Sequence, residues 1–280
     1  MIMAKRIAYL GPAGTFTEDA CLRYDPQAAR IPFPSIAMVA EAVITGKADE
    51  GITPIENSLE GSVTATLDLL IHGSSLMIQN ELVLPIHLYL LGGPNVQKES
   101  IDAIYSHTQP LGQCREFLSE KYPAVELIAS LSTASAVKDM MKAEGNAAAI
   151  GNKHAAKIYG AQVLSERIED NPNNSTRFVT LAKSDHERTG DDKTSVAFWF
   201  ADDAPGILYQ TLGELSTRGI NLAKVESRPT KESLGRYIFL IDLEGHRDDD
   251  MVRVALEAVE SQVTMLKILG SYPRYAGNTR

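Results

Sequence analysis

Short apolar runs alternate with polar turns and with stretches whose apolar residues recur every three to four positions. Arg6 to Leu10, Gly51 to Ile55, Ile101 to Tyr105, Val125 to Ala129 and Ala147 to Ile150 read as buried strands. A capping box, Thr15-Phe16-Thr17-Glu18, opens a helix to about Tyr24, and Ile36 to Thr45 is a second helix ended by Gly46. Ser62 is expected to cap a helix through about Ile71. Further helices are expected over Leu111 to Tyr122, with Leu111, Cys114 and Leu118 on one stripe, over Leu131 to Ala143, and over Lys153 to Tyr159. Leu76 to Leu91 is extended and apolar. This alternation predicts an α/β fold with a largely parallel sheet. Ligands in such folds sit at the carboxyl ends of strands, where helices begin. The polar clusters Gly11 to Thr15, Glu56 to Ser62, Ser106 to Gln113 and Ser132 to Ser135 fall at such places. A cleft between two lobes, crossed by the chain near 75–80 and 160–166, would gather them.

Beyond Lys183 the pattern changes. Residues 184–193 are a charged linker, so the boundaries expected are a first domain over 1–183, a second over 194–272 and a tail over 273–280. In the second domain Thr194 to Phe200 is a strand, and Pro205 to Arg218 is a helix with Leu208, Leu212 and Leu215 inward. Ile220 to Arg228 and Arg236 to Leu243 are strands joined by a loop containing Gly235. Met251 to Glu260 is a helix with Met251, Val254, Ala255, Ala258 and Val259 on its stripe, and Val263 to Leu269 is the last strand. The order βαββαβ is the ferredoxin-like plan.

Composition narrows the function. The chain has 280 residues, 44% hydrophobic and 22% charged, as an ordinary globular protein does. Its formal charge of -9 and the lack of a basic run argue against a nucleic-acid surface. The longest apolar run, Leu82 to Leu91, is interrupted by Pro85 and His87 and is too short to span a bilayer. Neither a secretory leader nor a metal spacing of Cys21 and Cys114 is visible, so a reduced, cytoplasmic setting is the expectation. There is no phosphate-binding loop, dinucleotide fingerprint, zinc spacing or nucleophile elbow, and no cofactor is expected. Helix N-termini rimmed by hydroxyls and amides suit a small anion, because their backbone N–H groups are free.

The stretch Asn171 to Ala182 stands out. Turn-formers lead into an apolar strand, and a hydroxyl, a cation and a ring meet at its mouth as Thr176-Arg177-Phe178. Strand alternation puts Thr176 and Phe178 on one face and Arg177 on the other. On spacing alone the better reading is a plain loop-to-strand junction with Arg177 facing solvent.

The motifs taken together resemble prephenate dehydratase. They are Tyr9-Leu10-Gly11-Pro12-Ala13-Gly14-Thr15-Phe16-Thr17, Pro54-Ile55-Glu56-Asn57-Ser58-Leu59-Glu60-Gly61, Ser106-His107-Thr108-Gln109, Ser132-Thr133-Ala134-Ser135-Ala136, Ile168-Glu169-Asp170 and Thr176-Arg177-Phe178. The second domain resembles an ACT regulatory domain through Pro205-Gly206-Ile207-Leu208, Ile220-Asn221-Leu222 and Glu226-Ser227-Arg228-Pro229. Two departures are visible: Thr108 stands where the family has Pro, and Ile207-Leu208 where it often has Ala-Leu. The resemblance implies a two-lobed, periplasmic-binding-protein-like (type II) catalytic domain followed by the ferredoxin-like ACT domain. A fused chorismate mutase domain, present in some relatives, is not expected in front of Ile7.

The implied activity converts prephenate to phenylpyruvate, carbon dioxide and water. Aromatisation of the ring drives the reaction, so neither a redox cofactor nor a metal is required. The departing hydroxyl needs a hydrogen-bond donor in the transition state, and by the resemblance Thr176 is that donor. Asn57, Ser106, Gln109, Gln113 and Thr133 are expected to hold the substrate, with Phe178 as pocket wall or core. Glu56 is either an acid in its own right or an orienter of Asn57. Arg177 either pairs with the pyruvyl carboxylate or ties the two lobes together. Ser132 and Thr133 are as readily helix caps. The ACT domain implies phenylalanine as effector, at a site including Leu208, Asn221, Leu222, Glu226, Ser227 and Arg228, and a homodimer or a dimer-of-dimers tetramer. Arogenate is the alternative substrate, and a non-catalytic sensor the alternative of a different kind.

Overall fold

The computed structural model describes residues 4–201, 204–231 and 236–277. The loop expected around Gly235 and the end of the tail lie outside the described residues.

The chain enters through β1 (Arg6–Leu10), α1 (Phe16–Tyr24), β2 (Ala29–Phe33), α2 (Ile36–Ile44), β3 (Glu50–Asn57), the short β4 (Gly61–Ser62), α3 (Thr64–Asp68) and β5 (Met77–Pro85). It then builds β6 (Tyr89–Gly92), β7 (Ala103–Ser106), α4 (Thr108–Gln113), α5 (Arg115–Lys121), β8 (Glu126–Ala129), α6 (Thr133–Met140), β9 (Ala147–Gly151), α7 (Lys153–Tyr159) and β10 (Gln162–Ser165). It returns through β11 (Ser175–Ala182). The last part is β12 (Asp192–Trp199), α8 (Ile207–Ser216), β13 (Leu222–Pro229), β14 (Tyr237–Glu244), α9 (Asp250–Glu260) and β15 (Met265–Pro273).

Three sheets result. The first lobe has the order β2-β1-β3-β11-β5, with β4 on β3, and the second has β10-β6-β9-β7-β8. The chain therefore crosses between lobes at 86–88 and 166–174, not near 75–80 and 160–166. The extended run from Leu76 is two strands, β5 and β6, separated where Pro85 ends the first ladder. Each lobe is only half parallel. β1 pairs β2 and β3 in parallel, but β11 runs antiparallel to both β3 and β5, and β6 antiparallel to β9 and β10. A strand returning directly from the other lobe needs no helical crossover, so an antiparallel place is open to it.

The third sheet has the order β13-β14-β12-β15, all antiparallel, as the ferredoxin-like plan requires. One face is covered by α8 and α9, through Val196, Phe198, Leu215, Ile241, Leu243, Val252, Ala255, Leu256 and Val259. The α9 stripe is thus Val252, Ala255, Leu256 and Val259, while Met251 and Val254 are exposed. Ala255 and Val259 of the expected stripe are buried, and Val252 and Leu256 complete it in place of Met251 and Val254. Among the described residues the opposite face of this sheet has no helix of its own. Ala197, Ile238, Leu240, Leu269 and Tyr272 pack instead into one core with Leu70, Ile71, Ile78, Val179 and Leu181 of the first lobe. At this junction Gly270, with φ 145°, lies so close that a Cβ would sit 2.2 Å from the carbonyl oxygen of Ile78. Among the described residues no helix is long and apolar enough to cross a membrane.

Candidate active site

A cleft of about 470 Å³ opens between the lobes, and Asn57, Gln109, Gln113, Thr133 and Thr176 all line it. The first lobe gives Asn57 from the end of β3 and Thr176 from the start of β11, paired in register. The second lobe gives Gln109 and Gln113 from α4 and Thr133 from the first turn of α6.

A β-bulge decides which residue of β3 faces the cleft. Phe178 pairs with Pro54, but Arg177 pairs with Glu56 and Thr176 with Asn57, so Ile55 is the extra residue. Strict alternation from Pro54 would point Glu56 into the cleft and Asn57 away from it. The bulge exchanges them. Glu56 therefore leaves the expected substrate set: its carboxylate lies 3.1 Å from Lys224 Nζ and 3.8 Å from Arg177 Nη1, toward the third sheet.

Around Thr176 the polar groups are amides. Asn57 Nδ2 donates to Thr176 Oγ1 at 2.9 Å and to Asn174 Oδ1 at 2.8 Å. Asn57 Oδ1 accepts from the backbone N–H groups of Leu59 and Glu60 at 3.0 and 3.1 Å. Asn174 Nδ2 donates to Gln113 Oε1 at 3.1 Å, and Gln113 Nε2 to Glu60 Oε1 at 3.2 Å. Thr176 Oγ1 has thus accepted a hydrogen bond, which leaves its own proton to donate toward the cleft.

Ser106 and Arg177 do not line the cleft, and Phe178 takes the core place of the two expected for it. Ser106 is fully buried, and its hydroxyl donates to Ile150 O at 2.9 Å, fastening β7 to β9. Phe178 is core, packed with Tyr9, Ile52, Leu82 and Leu84. Arg177 turns to the third sheet. Its Nε donates to Glu81 at 2.6 Å, Nη1 to Asp242 at 2.6 Å and Nη2 to the Tyr272 hydroxyl at 2.8 Å. Lys193 Nζ completes Glu81 at 2.8 Å, and Ser195 donates to Asp242 at 2.5 Å. Burial opposes charge on Arg177, but Tyr272, Asp242 and Glu81 outweigh it and raise its pKa. Burial likewise opposes ionised Asp242, yet Arg177, Ser195 and Lys193 hold its pKa low. Arg177 therefore joins the first lobe to the third sheet rather than lobe to lobe.

Other members of the expected clusters, outside the named substrate set, line the cleft as well. Ser62 is not a helix cap. It lines the cleft from β4 and is held from β13 by Glu226 at 2.5 Å and Lys224 at 2.8 Å. His107 caps α4 through Nδ1, which accepts from Gln109 N at 3.4 Å. Ser132 caps α6 through Ser135 N at 2.9 Å and lines the cleft as well. Asn174, read as a turn-former, is the buried centre of the amide chain. A second interlobe contact lies at one end of the cleft, where His154 Nε2 meets Glu18 at 2.9 Å and Nδ1 faces Asp19 at 3.6 Å. Burial pushes the Asp19 carboxyl up to about 6, with His154 and Arg23 opposing the shift.

The expected effector residues divide between two faces of β13. Lys224, Glu226 and Arg228 are half-buried toward the first lobe, whereas Val225 and Ser227 are exposed on the other face. Arg228 lies 3.6 Å from Asp68. Glu226 and Arg228 therefore do not share a surface with Ser227. Leu222 packs beneath the helices, and Asn221 is exposed, its carbonyl accepting from Glu244 N at 3.0 Å. Of the six, Leu208 lines a cavity of about 540 Å³ with Phe200, Pro205, Gly206 and Phe239.

Comparison with known proteins follows the same division. The family model for prephenate dehydratase matches residues 7–186, and that for the ACT domain residues 194–260. A bifunctional chorismate mutase/prephenate dehydratase of Stutzerimonas stutzeri is 40% identical over 96% of this chain and 73% of its own. A prephenate dehydratase from Arthrobacter aurescens, solved in complex with L-Phe, superimposes with a TM-score of 0.89 at 38% identity, over 96% of this chain and 90% of that one. GqqA, described as a novel type of quorum quenching acylase, superimposes with a TM-score of 0.87 at 27% identity, over 99% and 100%. By the extent of these matches, the chain belongs to the prephenate dehydratase family and carries that family's ACT domain.

Proposed function

We infer that this chain is a prephenate dehydratase, a hydro-lyase of phenylalanine biosynthesis whose turnover is restrained by phenylalanine at the ACT domain. The observation that carries the reading is the hydrogen bond from Asn57 Nδ2 to Thr176 Oγ1 inside an interlobe cleft lined by amides and hydroxyls. In the reaction the bond to the ring carboxylate breaks, and its electrons enter the ring. The C–O bond to the ring hydroxyl then breaks, and the departing oxygen takes a proton to leave as water. Thr176 serves as the oriented donor to that oxygen. Thr176 is a weak acid, so its contribution is a hydrogen bond that strengthens as negative charge develops. Gln109, Gln113 and the first turn of α6 at Thr133 hold the carboxylates through neutral dipoles. A full cation on the ring carboxylate would stabilise the ground state as well as the transition state, and would slow its loss.

The likeness to GqqA raises acyl transfer as a second activity to assay. An acyl-transfer nucleophile gives its proton to a base. Thr176 Oγ1 instead receives a proton donor from Asn57, which favours the dehydratase. The test is purified protein supplied with prephenate, with arogenate and with an acylated quorum signal, each with and without phenylalanine. Release of phenylpyruvate from prephenate is the expected result, and hydrolysis of the acyl substrate without it would replace the reading.

The effector is expected in the cavity of Leu208, Phe200 and Phe239, whose rings suit an aromatic side chain. Assembly belongs to the same proposal. Tyr209, Val225, Tyr237, Met251 and Val254 are exposed apolar side chains of the ACT domain, and β13 is an edge strand. We assign this surface to a homodimer, or a dimer of such dimers. Light scattering should give at least twice the chain mass, and Val254→Asp should reduce it. A cytoplasmic setting fits Cys21 and Cys114, both buried as free thiols.

A further inference from the structure

We propose that Asn174 is a positioning residue that sets the direction of every hydrogen bond between Thr176 and the second lobe. The assignment rests on the dehydratase reading and adds to it a residue that has no place in the reaction itself.

Donor and acceptor identity leaves the amides one arrangement. The N–H groups of Leu59 and Glu60 can only donate, so the atom of Asn57 that meets them is Oδ1. Asn57 Nδ2 then faces Thr176, Asn174 and the Ser175 carbonyl, at 2.9, 2.8 and 3.2 Å. Asn174 must answer a donor with Oδ1, which turns its own Nδ2 to Gln113 Oε1 at 3.1 Å. Gln113 Nε2 is then directed at Glu60 Oε1, 3.2 Å away. Backbone donors at one end and a carboxylate at the other fix the polarity of the whole chain.

Asn174 is the member that spans the lobes. It ends the return crossing at 166–174, its backbone carbonyl accepts from Ile86 N of the outward crossing at 2.8 Å, and the residue is 1% exposed. Gln113 belongs to the second lobe, Asn57 and Thr176 to the first. One buried amide thus reports the position of α4 to the group that holds Thr176. If the lobes part, Gln113 leaves Asn174, and Asn57 loses the neighbour that keeps its Nδ2 on Thr176. Leaving-group donation is strongest with the lobes together.

The substitutions differ in sign. Asn174→Leu removes both bonds without adding charge. Asn174→Asp keeps the acceptor for Asn57 but sets an acceptor against Gln113 Oε1. Gln113 must then turn over, which brings its Oε1 against the Glu60 carboxylate. Glu60→Gln supplies the missing donor, so Asn174→Asp with Glu60→Gln restores a consistent direction and the parent's net charge. We expect each Asn174 variant to lower kcat by about tenfold or more while KM moves by less than about threefold. Added to Asn174→Asp, Glu60→Gln should restore most of kcat; added to Asn174→Leu, it should restore none.

The experiment measures kcat and KM for these proteins, the melting temperature of each, and the side-chain ¹⁵NH₂ resonances of Asn57 and Gln113. Movement of both resonances in folded Asn174→Leu supports the assignment. A folded Asn174→Leu protein with parental kcat overturns it. So does equal recovery by Glu60→Gln in both backgrounds, which would trace the effect to charge. Should Asn174→Leu not fold, Asn174→Ser takes its place as the uncharged background, and the same comparison with Glu60→Gln decides. A parent inert toward prephenate would defeat the dehydratase reading instead, and the resonances would still decide whether Asn174 orients its neighbours.

Discussion

Thr176 and Arg177 are adjacent on β11, yet they face two differently built regions. Thr176 meets a chain of amides, Asn57, Asn174 and Gln113, that ends on the Glu60 carboxylate. Arg177 enters a buried cluster of formal charges in which Arg177 and Lys193 balance Glu81 and Asp242. The cluster carries two cations and two anions at fixed positions; Ser195 and the Tyr275 N–H donate to its carboxylates, and the Tyr272 hydroxyl accepts from Arg177. Fixed charge suits a junction whose geometry never has to change. A cleft that admits a dianion and then loses one carboxylate needs groups whose interaction is modest before the reaction and stronger during it. One strand serves both because its side chains alternate.

The comparison can be broken from the charged side first. Arg177→Met removes the cation bonded to both Asp242 and Glu81, leaving Asp242 the Ser195 hydrogen bond and Glu81 its bonds to Lys193 and the Tyr275 N–H, and should cost about 3–5 kcal/mol of stability. Urea unfolding of the full chain measures it, and a loss below about 1 kcal/mol would mean the cluster does not hold the third sheet to the lobe. On the neutral side, Thr176→Ala should reduce kcat by about 10²-fold or more, roughly 2.7 kcal/mol in the barrier, with little change in KM. Thr176→Ser should retain much more of the activity, since the hydroxyl is kept. Parental turnover by Thr176→Ala would remove it as the donor.

Smaller effects sharpen the contrast. Glu226 touches Ser62 of the cleft wall directly from β13, so the ACT domain reaches the cleft without passing through the linker. Glu226→Gln should weaken phenylalanine inhibition by about 5- to 30-fold, roughly 1–2 kcal/mol of coupling, while uninhibited turnover stays within about twofold. Calorimetry should show phenylalanine still bound; unchanged inhibition would place the route elsewhere. Asp19 is the smallest test, because its burial is less well compensated than that of Asp242. Its folded-state pKa is raised from 3.8 to about 6, so its contribution is fully present below the ordinary value and lost as pH rises through about 6. Asp19→Asn, always neutral, should match the parent in acid and exceed it by about 1–2 kcal/mol near pH 8. A constant difference between acid and alkaline melting temperatures would show that Asp19 does not titrate this way.

Much of this is readable in the chain. Periodicity locates most strands and helices, and the polar clusters at strand ends do meet in one cleft, with Asn57, Gln109, Gln113, Thr133 and Thr176 together. What fails has local causes. A bulge has no sequence signature here, so simple alternation puts Glu56 in the cleft. Ser106 and Phe178 sit in motifs beside ligating positions, but their side chains serve the ladder and the core. Asn174 is hidden because an asparagine in Asn171 to Ser175 is fully explained by a turn. β2 and β10 escape the pattern because Ala29–Phe33 carries charge and proline and Gln162–Ser165 is short and polar at its ends. Arg177 and Glu226 depend on how the third sheet lies on the lobe, which no local pattern encodes.

Gly270 bears on modularity. Regulatory domains are usually thought of as exchangeable parts on a tether, yet here the backbone of β15 lies against the backbone of β5 with no room for a methyl group. Transplanting an ACT domain onto this catalytic unit would require a glycine at that position and an apolar sheet face shaped to Ile78 and Leu70. The interface with β5 is therefore part of what must be exchanged, and a chimera joined at the linker should fold only where the incoming domain keeps a glycine at that position.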